Sequence, residues 1–101
     1  MPKMHLHGQA VQHDDVYILA NREALLRLRE ALDKALETNQ TQATLSFCED
    51  GEGFIIFIKP LEDFSKVMLP YFDTGYPMVG EDPFHTIGEE EYKRLYNNAN
   101  Q

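Results

Sequence analysis

Cations are scarce in this chain: Lys and Arg number 9 against 17 Asp and Glu, and the formal net charge is −8. Such a surface repels phosphate backbones and anionic lipid, so neither nucleic acid nor a membrane is an expected partner. Cysteine occurs once, at Cys48, which excludes an internal disulfide and any zinc site built on several thiolates. Long apolar runs are missing as well: nothing approaches the roughly 18 residues that a membrane-crossing helix requires. The opening "MPKMHLHGQA" lacks the basic segment and apolar run of a secretory signal. Together these absences lead us to expect a soluble, cytoplasmic protein.

What is present suits one small globular unit. Of 101 residues 43% are apolar, enough for one modest core, so a single domain over 1–101 is expected. Residues 3–11 alternate loosely, with Gly8 weakening the strand or marking a bulge. His13, Asp14 and Asp15 supply a turn, and "VYILA" (16–20) is a short strand-like run. From Arg22 to Thr38, Leu25, Leu28, Leu32, Ala35 and Leu36 recur at three- and four-residue steps, with Ala24 and Ala31 beside them. That spacing predicts an amphipathic helix, capped by Asn21 in front and Asn39 behind. A second hairpin follows: Ala43, Leu45 and Phe47 face one way, "EDGEG" turns the chain, and "FIIFIK" returns until Pro60. Phe54, Ile56 and Ile58 are expected to meet the helix. Ile55 and Phe57 then lie on a face that needs its own cover, from the C-terminal segment or a second subunit.

After Pro60, Leu61, Phe64, Val67 and Met68 are spaced for a short helix. Residues 70–87 hold Pro70, Gly75, Pro77, Gly80 and Pro83 and read as a long loop, a kind of segment that often carries function. Thr86 with Glu89 forms a capping box for a final helix, "EEEYKRLYNN". The order predicts an α+β fold: a mostly antiparallel sheet of about four strands packed on one long amphipathic helix, with a C-terminal loop and helix.

Catalytic chemistry is hard to place. His5 and His7 project from the same side of a strand, a spacing that metal sites use, and His13, Asp14, Asp15 or His85 would have to complete the set. Gly8 interrupts that scaffold and no HExxH spacing exists, so an ordinary polar strand is expected and no metal is assigned. "DTG" at 73–75 matches the aspartic protease triplet, but it lies late in the chain and is followed by Tyr76 and Pro77; chance explains it better. Cys48 stands beside Glu49 and Asp50, whose charge disfavours a thiolate. Ser46 and Ser65 lack a G-x-S-x-G context. The glycines fit neither a P-loop nor a dinucleotide fingerprint. An enzyme is not expected, nor a cofactor.

The more promising feature is aromatic. Tyr71, Phe72, Tyr76 and Phe84 lie among Asp73, Glu81 and Asp82, with Tyr92 and Tyr96 on the last helix. Aromatics ringed by acids suit a hot spot for a basic protein. The competing reading has this segment wrap over Ile55 and Phe57 and complete the core.

The stretch "HDDVYILANREALLRLREALDKAL" (13–36) with the hairpin after it resembles the small immunity proteins of bacterial polymorphic toxin systems, the immunity protein 32 type. The resemblance spans roughly residues 13–60 and implies an inhibitor that neutralises a toxin by binding it. The expected function is accordingly a non-enzymatic acidic protein-binding module that uses Tyr71, Phe72, Asp73, Tyr76, Glu81, Asp82 and Phe84. The alternative is a ligand-sequestering homo-oligomer with a pocket between the sheet and the C-terminal loop. A homodimer is compatible with either reading.

Overall fold

The computed structural model describes residues 1–9, 13–70 and 80–99. Strands β1 (Met4–His7) and β2 (Tyr17–Ala20) pair antiparallel, with Met4 opposite Ala20 and His7 opposite Tyr17. β1 stops immediately before Gly8. Helix α1 (Arg22–Thr38) begins and ends as its caps dictate. The Asn21 side chain accepts the Ala24 N–H at 3.0 Å, satisfying one of the donors that a helix start leaves open. Asn39 adopts the left-handed conformation (φ 57°) and its N–H donates to the Ala35 carbonyl.

Strands β3 (Gln42–Phe47) and β4 (Gly53–Ile58) form the second antiparallel pair, with Gln42 opposite Ile58 and Phe47 opposite Gly53. Opposed residues share a face, so Ala43, Leu45, Phe47, Ile55 and Phe57 lie on one side and Thr44, Ser46, Phe54, Ile56 and Ile58 on the other. α3 (Glu89–Ala99) packs on the first side, with Leu95 buried and Tyr92 stacked on Phe57. α1 packs on the second, bringing Ala24, Ala31 and Ala35 into the core. The β3–β4 hairpin is therefore the middle of three layers. The C-terminal segment does supply cover for the face of Ile55 and Phe57, in the form of a helix.

Among the described residues the expected four-stranded sheet does not form; they make two separate two-stranded sheets. β3 ends at Phe47, where β1 is only beginning, so the two share a single parallel bridge, Lys3 to Phe47. Beyond it β1 runs along the β3–β4 turn instead of a strand. The Glu49 N–H donates to His5 Nε2 at 3.0 Å, and the Cys48 thiol points to the Met4 carbonyl at 3.8 Å. These contacts occupy the edge where a ladder would continue.

The helical complement differs as well: α1 is not the one helix against the sheet, and the long loop contains another, α2 (Pro83–Ile87). The helix expected after Pro60 is absent. Asp63 accepts the Ser65 N–H at 2.9 Å, a local turn that competes with helical bonding. The expected Thr86–Glu89 capping box is not made either. Thr86 lies within α2 and its hydroxyl donates to the Asp82 carbonyl, while Gly88, at φ 95°, separates α2 from α3.

Candidate functional site

Asp82 is the pivot of the C-terminal region. Its Oδ1 accepts the His85 N–H at 2.8 Å and lies 2.7 Å from His85 Nδ1, so it caps α2. Pro83 follows in the first turn, where a missing N–H costs nothing. The backbone bond from His85 holds the Asp82 carboxyl below the usual aspartate range. Upstream, Glu81 is fixed through its backbone: its N–H donates to the Lys66 carbonyl and its carbonyl accepts the Met68 N–H. Gly80 permits this crossing. A Cβ there would lie 2.8 Å from the Lys66 oxygen, and φ is 109°.

Capping places Phe84 against α3. Its ring meets Tyr92 edge to face at 5.0 Å; Tyr92 stacks on Phe57 at 5.0 Å and on Tyr96 at 5.8 Å. Four rings thus run from the sheet to the surface, where Phe84 is 43% and Tyr96 46% exposed. Acids neighbour Phe84 along the chain: Glu81 and Asp82 immediately precede α2, and Glu89, Glu90 and Glu91 form the first turn of α3. Glu89 pairs with Lys93 at 3.2 Å and Glu91 with Arg94. Among the described residues Glu81 and Glu90 enter no ion pair. Glu81, Asp82 and Phe84 are therefore brought together, with Asp82 committed to its cap. Tyr71, Phe72, Asp73 and Tyr76 lie outside the described residues.

Two hollows adjoin this region. One, of about 400 Å³, lies on the sheet face between Leu45, Phe47, Ile55, Phe57, Tyr92 and Tyr96. Phe47 reaches its place there because Gly53 stands opposite: a Cβ at 53 would lie 3.0 Å from the Phe47 ring. The other, of about 590 Å³, is polar, and both its cations are engaged, Lys59 by the Thr86 carbonyl and Arg94 by Glu91.

The histidines do not assemble a ligand set. His5 has given Nε2 to the Glu49 N–H, His85 faces Asp82, and no three of His, Cys, Asp and Glu converge among the described residues. Sequence reasoning missed α2 and with it the seat of Phe84. The signal was available in Asp82-Pro83, an N-cap followed by proline at the first helical position.

No family model, curated protein or solved structure matches the chain.

Proposed function

We propose that this protein is an acidic protein-binding module, of the inhibitor or immunity kind, that engages a partner with a basic surface through Phe84, Tyr96 and the acids near them in the chain. The observation that supports this reading is the seating of Phe84. An exposed ring held on Tyr92, which is itself stacked on Phe57, loses little freedom on binding, and rigid aromatic anchors dominate interface energetics. Glu81 and Glu90 supply charge that steers a cationic partner.

The test is capture of the partner from the source cells, followed by titration with variants. Phe84→Ala should weaken the complex by about 30-fold, on the scale of a single hot-spot residue. Glu81→Lys should slow association and flatten its salt dependence. A partner held equally well by both variants would remove the site from consideration.

A second reading, sequestration of a small apolar ligand, is favoured by the aromatic-lined hollow of about 400 Å³, a volume within the usual range for small-molecule sites. It requires a ligand to accompany the purified protein in native mass spectrometry and to be lost on Phe47→Ala.

A further inference from the structure

Helix α1 buries mainly small residues, with Leu28 half-buried among them. Ala24, Ala31 and Ala35 are buried, while Leu25, Leu32 and Leu36, about a quarter turn around the helix, remain open to solvent, Leu36 by 81%. The first hairpin leaves apolar residues uncovered on both faces: Ile18 is 51% and Leu19 60% exposed. An isolated two-stranded hairpin is marginal in water. β2 also offers a free edge. It pairs with β1 alone among the described residues and carries no charge or proline to blunt the other side.

We propose that a second copy of this chain covers β2 and the leucine stripe of α1, in a two-fold interface. Two observations select a second copy over a foreign protein. First, charge is segregated: residues 16–38 hold four cations and four anions, so the net −8 of the chain lies entirely outside them. Two strongly acidic chains can meet through the one stretch that does not repel, whereas a basic partner would be drawn elsewhere. Second, antiparallel pairing of β2 with its own copy is self-complementary, as a two-fold contact requires. It joins two marginal hairpins into one four-stranded sheet.

Sedimentation equilibrium and hydrogen exchange on the full chain test the proposal, which rests on residues separate from those of the functional reading above. At micromolar concentration the wild type should sediment at twice its 11.7 kDa. Leu36→Glu and Ile18→Lys should each shift it to the monomer mass with helical circular dichroism retained. Each change enters a two-fold interface twice, so the dimer dissociation constant should rise by about 100-fold or more. Phe84→Ala should leave the mass unchanged. The Asn21 N–H donates to the Lys3 carbonyl, and ladder bonds alternate, so the Ile18 N–H faces away from β1. That amide should be protected in the wild type and exchange freely in Leu36→Glu. A wild type at monomer mass over the whole concentration range overturns the proposal, as does an assembly indifferent to both substitutions.

Discussion

The two hairpins of this chain draw on the same kinds of residue and end in opposite situations. β3–β4 is wrapped by a helix on each face, and none of its apolar side chains is fully exposed. β1–β2 is anchored at its base, where Met4 is 1% exposed, and its apolar residues then stand in solvent. The difference arises from where the chain goes next. α1 turns back along β3 and β4, and α3 returns to the same hairpin, so both helices are spent on one sheet. Apolar strand composition therefore specifies that a strand wants cover, and the connections decide which strand receives it.

Three substitutions along the junction probe that contrast. Met4 is the one residue of β1 sunk in the body, and Met4→Ala should cost about 2–4 kcal/mol by leaving a cavity. Urea denaturation reads the loss, which should appear at the base of the arm and in the body together. Asn21 holds the same junction by hydrogen bonds. Its Oδ1 accepts from Ala24 and Lys3, and its Nδ2 donates to the Met1 carbonyl. Asn21→Ala should cost about 1–2 kcal/mol, at the upper end for an N-cap, and should speed amide exchange in β1 and the first turn of α1 before the β3–β4 ladder. The smallest effect has the opposite sign. Ser46, in the covered hairpin, buries a hydroxyl with no partner among the described residues. Ser46→Ala should be neutral or raise stability by up to about 1 kcal/mol; a clear loss would mean that the hydroxyl has a bonding role in the layer beneath α1.

Much of this architecture was legible in the sequence. Asn21 and Asn39 delimit α1, and the alternation in 43–58 assigns faces that the strand register reproduces. What failed were inferences about joining. Nothing in "MHLH" indicates that β1 starts where β3 stops, so a continuous sheet was expected and one bridge was found. The leucine repeat was equally misleading about the core. Periodicity reports that one side of α1 is apolar; of the repeat Ala35 is buried and Leu28 half-buried, beside Ala24 and Ala31, while Leu25, Leu32 and Leu36 stay exposed. At the candidate site, Glu81, Asp82 and Phe84 were singled out by composition, yet Asp82's capping role depends on a short helix that the prolines of 70–87 concealed.

The Phe47 ring lying over Gly53 has a consequence for how such a sequence can diverge. With phenylalanine in place, a side chain at 53 asks the ring to give by a few tenths of an ångström, so change at that position comes more easily after a smaller residue has appeared at 47. Once 47 has shrunk and 53 has acquired a side chain, a return to phenylalanine meets the same contact from the other side. The pair therefore favours one order of mutations over the other, and the hollow they border is shaped by both.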